Sequence, residues 1–274
     1  MDPARITQIE NRIPLHIVAS SSSIDTIKQS YNRSPTEAQE YGAGINFIFP
    51  RYRPVYASHA QSMNANILKS RLICVAVIDN AADAVPLAEA LLAGGLSVIE
   101  VTFRTAAAAE AIARIHKALP DVRVGAGTLL SVDQVRQAFD AGAEFGVSPG
   151  LNEAVLGEAD VLDLPFFPGI MTPTEVDRAL RLNCRQLKFF PAEAAGGVNM
   201  LKALAGPFAH TGVQFIPTGG INAALLPAYL ALPQVAAVGG AWMAERKLVA
   251  ERAWPKITAL TAEAMKAIAA PTSK

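Results

Sequence analysis

Cysteine is scarce. The 274 residues hold two, Cys74 and Cys184, which stand 110 positions apart and form no CxxC. That spacing argues against a disulfide framework or a structural zinc site. The four histidines show no HxxxH-type spacing, so the chain offers no His-built metal site and no metal is expected. Charge of one sign is missing too: 24 Lys+Arg balance 24 Asp+Glu, and charged residues are 18% of the chain. This leaves no electrostatic footprint for nucleic acid or an anionic membrane. No apolar h-region follows a basic start in the first thirty residues, so no export signal is read there. The longest apolar stretch, 223–244, is long enough to span a bilayer. Pro227, Pro233, Gln234 and Gly239-Gly240 interrupt it, and it reads as helix, turn, strand, turn. A soluble, reduced, cytoplasmic protein is expected.

Apolar residues, in contrast, make up 51% of the chain, and a globular chain of this size buries roughly 75% of its unfolded surface. They are unevenly spread. Residues 1–62 hold eight of thirteen serines and four of five tyrosines, without sustained periodicity beyond a short apolar cluster at 45–49. This segment is expected to be a poorly ordered extension or the product of an upstream start with Met63 as native initiator; an accessory docking arm is the alternative. From Met63 onward, short apolar runs fall at 72–78, 97–101, 123–126, 145–148, 165–169, 186–189, 214–217 and 235–238. Amphipathic stretches such as 82–93, 106–119, 132–141, 174–182 and 223–232 lie between them. Strands alternating with helices imply parallel βαβ units with right-handed crossovers. Eight strands in about 210 residues match a (β/α)8 TIM barrel, α/β in class, over 63–274. An open doubly wound sheet is the alternative, but it would offer one crevice, whereas polar residues follow nearly every run here.

Strand ends and the loops after them converge on a barrel's mouth. Glu100, Thr102 and Arg104 are spaced by two, so in an extended chain they share a face, inward if Val101 and Phe103 pack outward. Glu100 and Arg104 could simply pair as buried ions. Lys188 lies among Leu187, Phe189 and Phe190. An ammonium stripped of water titrates lower, by up to about 3–5 units at full burial, and the neutral amine attacks carbonyls to form a Schiff base. A lysine snorkelling from a strand end is the structural alternative. Together, a lysine, a glutamate and an arginine provide a nucleophile, a proton shuttle and a bidentate carboxylate clamp. Gly219-Gly220 and Gly239-Gly240 are expected in the loops where the seventh and eighth strands end, and there bare N–H groups can approach a phosphate. A tight turn is the bland reading of either pair. The loop expected after the third strand, Gly125-Ala126-Gly127-Thr128, adds a hydroxyl and flexible backbone.

The motifs VIEVTFRT (98–105), VGAGTLL (124–130), SPGLNE (148–153), FFPGIMTPTE (166–175), KFFPAEAAGG (188–197), AGPF (205–208), PTGGIN (217–222) and GGAW (239–242) occur in that order. In this order they resemble the 2-keto-3-deoxy-6-phosphogluconate (KDPG) aldolase family, some of whose members also cleave 4-hydroxy-2-oxoglutarate. The resemblance runs from about residue 72 to 242 and leaves 1–62 uncovered. It implies a cofactor-free class I aldolase, with Lys188 as the Schiff-base lysine and Glu100 as general acid/base. Arg104 and Thr128 match positions holding the substrate carboxylate. Thr218, Gly219, Gly220, Gly239 and Gly240 match the phosphate end, and Ala241 stands there in place of the family's usual serine. Cys74 occupies a first-strand position where proline is usual, and reads as a small core hydrophobe. The implied partner is a small keto-acid phosphate, with neither nucleic acid nor membrane, and the implied assembly is a homotrimer. A sugar-phosphate isomerase would need an acid/base pair rather than an imine lysine. A non-catalytic phosphosugar-binding barrel would need neither Glu100 nor Lys188 inside it.

Overall fold

A computed structural model describes residues 67–269; the extension expected over 1–62 lies outside the described residues. Nine strands appear: β1 (Leu72–Ala76), β2 (Val98–Thr102), β3 (Arg123–Gly127), β4 (Gly146–Val147), β5 (Phe166–Phe167), β6 (Gly169–Ile170), β7 (Gln186–Phe189), β8 (Gln214–Pro217) and β9 (Val238–Gly240). All pairings are parallel, in the orders β5-β4-β3-β2-β1-β9 and β6-β7-β8. Pro168, which has no N–H to donate, separates β5 from β6, so these two short strands are one crossing of the sheet. Bridges Phe215–Val235 and Thr218–Gly239 join β8 to the β9 segment and close the ring. The result is an eight-stranded TIM barrel, as expected.

The helices are α1 (Ala84–Ala93), α2 (Ala108–Ala118), α3 (Val132–Asp140), α4 (Glu153–Val161), α5 (Pro173–Arg181), α6 (Gly197–Ala205), α7 (Leu226–Leu230), α8 (Arg246–Ala250) and α9 (Trp254–Ala269). Local chemistry starts several of them. Ser131 and Asn152 cap α3 and α4 through side-chain oxygens, and Thr172 with Glu175 forms a capping box around α5 with Pro173 in its first turn. The helix expected over 223–232 is shortened, because Asn222 caps a turn at 224–225 first and α7 begins only at Leu226. The last strand is shifted from 235–238 to Val238–Gly240, with Val235 making only a bridge.

Two side-chain layers fill the structure. Outside the strands, Leu87 and Leu91 of α1 and Ile112 and Ile115 of α2 are buried in the same hydrophobic core as Ile99 and Val101 of β2. Inside, Phe145 and Phe167 meet at tilted rings 5.9 Å apart. The Phe145 ring occupies the space a side chain on Gly125 would need, and Gly125 is the register neighbour of Glu100. Apolar filling therefore reaches up to the carboxylate, leaving the polar residues at the upper end. Among the described residues, no helix is long and apolar enough to cross a membrane.

Candidate active site

Glu100 on β2 and Lys188 on β7 point into the barrel and are 3% and 5% exposed. Lys188 Nζ donates to Glu100 Oε1 at 3.3 Å. Phe190 lies with its ring centroid 5.3 Å from the same nitrogen, within cation–π range. The partner of Glu100 is therefore Lys188; the Glu100–Arg104 ion pair considered above does not form. β2 ends at Thr102, and Arg104 sits in the following turn, exposed and without a hydrogen bond or ion pair among the described residues. Two threonines hold that turn: Thr102 Oγ1 donates to Ala76 O at 3.1 Å and Thr105 Oγ1 to Ile78 O at 2.6 Å. The guanidinium is left with all its donors available at the mouth.

Strand glycines next to this pair admit atoms that a side chain would displace. A Cβ on Gly127 would collide with the carboxylate of Glu100, and one on Gly169, the register neighbour of Lys188, would collide with the Pro149 carbonyl. Gly169 did not stand out in the sequence, and Gly127, read there as flexible loop backbone, instead ends β3; a strand glycine shows its purpose only through what lies across from it. Thr128 follows Gly127 at φ 59°, a left-handed conformation that a β-branched residue rarely adopts. Neighbouring bonds hold it there: Phe103 N–H to Gly127 O at 2.7 Å and Leu129 N–H to Val147 O at 3.1 Å.

The two glycine pairs differ. Gly219 and Gly220 (φ 103° and 79°) form a left-handed turn after β8. Ala192 N–H donates to Thr218 O at 2.8 Å and Glu193 N–H to Gly219 O at 3.0 Å. Because a trans peptide directs its N–H opposite its C=O, the Gly219 and Gly220 N–H groups face away from 192–193. Neither donates to an acceptor among the described residues, and neither does Ala241 N–H. Consecutive unpaired N–H groups make an anion-binding concavity. Gly239 and Gly240 instead belong to β9, a correction to their expected place in a loop. Gly239 makes room for Thr218 Oγ1 and Gly240 for the Trp242 indole. Their smallness shapes the rim, while Gly219, Gly220 and the exposed Ala241 carry the free donors.

Both thiols are buried and free, and burial raises each. Glu100 adds to the effect at Cys74, while Cys184 is pushed up to about 12 with help from Asp160. Cys74 is thus an inert part of the core. Among the described residues, no cluster of His, Cys, Asp or Glu could hold a metal ion.

The barrel thus holds a buried amine against a carboxylate, below a rim of unused donors. Comparison with known proteins supplies the family. The family model for KDPG and KHG aldolases matches residues 63–260. A 2-dehydro-3-deoxy-phosphogluconate aldolase from Treponema pallidum is 46% identical over 72% of this chain and 93% of its own length. The KHG/KDPG aldolase of Escherichia coli K12 is 43% identical over 71% and 90%. Among solved structures, a Legionella pneumophila KDPG aldolase holding pyruvate as a covalent carbinolamine aligns at TM-score 0.70 and 41% identity, covering 73% of this chain and 96% of that one. A Zymomonas mobilis KDPG aldolase bound to 3-phosphoglycerate aligns at 0.68 and 42%, covering 75% and 96%. The chain belongs to the KDPG and KHG aldolase family.

Proposed function

We propose that the protein is a class I aldolase that cleaves 2-dehydro-3-deoxy-6-phosphogluconate to pyruvate and glyceraldehyde 3-phosphate, with residues 63–274 as its catalytic unit. The observation that carries this reading is the Lys188–Glu100 contact inside the barrel mouth, 3.3 Å long and closed to solvent. Lys188 yields a proton to Glu100 and attacks the C2 ketone. Glu100 returns the proton to the carbinolamine hydroxyl, which leaves as water and gives a protonated imine. Glu100 then takes the C4 hydroxyl proton. The C3–C4 bond breaks, its electron pair flows into the imine, and glyceraldehyde 3-phosphate departs. The enamine is protonated at C3, and water releases pyruvate from Lys188. Arg104 and Thr128 hold the pyruvyl carboxylate and set C2 before Nζ, positioning that can supply several kcal/mol of the barrier. Thr218 and the free N–H groups of Gly219, Gly220 and Ala241 receive the phosphate, and Gly239 and Gly240 leave room for the Thr218 hydroxyl and the Trp242 indole beside it.

Ala241 favours one further reading. Without a hydroxyl there, the phosphate end has one donor fewer, which suits the unphosphorylated 4-hydroxy-2-oxoglutarate; the C4 epimer, 2-dehydro-3-deoxy-6-phosphogalactonate, is a further substrate to compare. Relative kcat/KM on the three compounds tests the assignment. The largest value is expected for the 6-phosphogluconate derivative, and a larger one for either other compound moves the assignment there. Two buried free thiols support a reducing, cytoplasmic setting. A homotrimer is proposed for the assembly, as the resemblance implies, and light scattering is the test.

A further inference from the structure

The Gly219-Gly220 turn is held from behind by a pair of side chains that touches neither Lys188 nor Glu100. Glu193 lies in the loop after β7, and its Cβ and Cγ occupy the ground beside Gly220; a Cβ on Gly220 would stand 2.7 Å and 3.0 Å from them. The carboxylate Oε1 accepts a hydrogen bond from the hydroxyl of Tyr229 on α7. Tyr229 is wholly buried. Burial first, then the bond and charge of Glu193, raises its phenol well above the usual range, so it stays a donor. Gly197, at φ 64°, leaves the opening in which they meet: a Cβ there would lie 3.1 Å from Glu193 Oε1 and 3.6 Å from the Tyr229 hydroxyl. One side-chain bond thus ties the segment after β7 to the helix after β8, across the turn between them.

We propose that Glu193 and Tyr229 are positioning residues that lock the Gly219-Gly220 turn with its two N–H groups presented to the phosphate, and so set the preference for phosphorylated substrates. This rests on the reading that the turn receives the phosphate. Glu193 N–H already fixes the Gly219 carbonyl at 3.0 Å, and the Tyr229 bond fixes Glu193. Without that bond, only the backbone bonds from Ala192 and Glu193 restrain the turn, and the two glycines shift their peptides more readily, because glycine has little intrinsic preference among backbone conformations. Lys188 is unaffected, since β7 is held on both sides by its ladders to β6 and β8.

The test compares the full-length wild type with Tyr229→Phe, Glu193→Ala and Glu193→Gln. It measures kcat and KM for 2-dehydro-3-deoxy-6-phosphogluconate and for 4-hydroxy-2-oxoglutarate, together with inhibition by inorganic phosphate. The wild type should be competitively inhibited by phosphate. Tyr229→Phe and Glu193→Ala should raise KM for the phosphorylated substrate, and the phosphate inhibition constant, roughly tenfold. Kinetics on the unphosphorylated acid should stay within about twofold. Glu193→Gln keeps an oxygen for Tyr229 and should recover most of what Glu193→Ala loses. A wild type that is indifferent to phosphate removes the phosphate-end reading and this proposal with it. A phosphate-sensitive wild type matched by Tyr229→Phe, or an equal loss on both substrates, overturns the positioning role alone.

Discussion

Replacing Gly127 with alanine should leave the barrel folded and impair turnover. Gly127 lies in β3, paired in register with Thr102, and its backbone is ordinary strand that alanine can adopt. An added methyl would lie 2.6 Å from the Glu100 carboxyl carbon and 2.7 Å from its Cγ. Carbon atoms at rest prefer about 3.5–4.0 Å, so the carboxylate must retreat by about 1 Å. It cannot do so freely, being 3% exposed and already in contact with Lys188. Overpacking of this kind costs about 1–3 kcal/mol of stability. A misplacement of about 1 Å at a reacting group can cost about 10²-fold in rate, which matches the lower end of the usual general acid/base contribution, about 10²–10⁴. Steady-state pyruvate release should therefore show kcat down by about two orders of magnitude, with a thermal transition still cooperative. A folded Gly127→Ala enzyme with kcat within about twofold of wild type would refute the claim that Glu100 acts from this position.

Glu100→Gln should slow turnover by about 10²–10⁴ while changing pyruvate binding less; unchanged kcat would leave Glu100 as a structural partner of Lys188. Ala241→Ser adds a hydroxyl beside a free N–H at the rim, and a hydrogen bond to a charged group nets about 1.5–3 kcal/mol. KM for the phosphorylated substrate should fall roughly tenfold or more, with the unphosphorylated acid nearly unaffected, and an equal effect on both would place Ala241 away from the phosphate. Asp79 joins the loop after β1 to α8 through two bonds to Arg246, at 2.7 Å and 2.6 Å. The Arg246 hydrogen bond, then its charge, holds this carboxyl below its ordinary value. A depressed carboxyl stabilises the fold above its unfolded value, about 3.9, and loses that contribution as pH falls through the folded one. The melting-temperature difference between wild type and Asp79→Asn should thus be present at neutral pH, shrink below about pH 4 and shrink in high salt. A difference that grows on acidification would contradict the pairing.

The strands were legible because buried parallel strands are short continuous apolar runs, and the reading of 186–189 and 214–217 coincides with β7 and β8. Interruptions were harder to see. Pro168 splits one crossing into β5 and β6, and the last ladder begins at Val238 because only there does the chain come alongside β1. Four helices, α4, α6, α8 and α9, were not singled out; α4 carries apolar residues without a sharply segregated face, and α8 is only five residues long. At the site, Glu100 and Lys188 could be found because ionisable groups inside apolar runs are costly and rare. Arg104 was placed on their face by a spacing that holds only while the chain stays extended, and the strand stops two residues earlier. The roles of Gly127, Gly169, Gly239 and Gly240 could not be read locally. Gly127, Gly169 and Gly239 clear space for atoms that the chain brings in from another strand or loop, and Gly240 for the indole of Trp242 two residues on; a local pattern records only that glycine permits a turn.

The central claim is that Lys188 forms a covalent imine with the substrate's keto carbon. Incubation of the full-length protein with pyruvate and borohydride, followed by peptide mass spectrometry, tests it most directly. The account predicts a reduced pyruvyl adduct on Lys188 in the wild type, with both adduct and cleavage activity lost in Lys188→Ala. An adduct on a different lysine, or none in an active preparation, would contradict it.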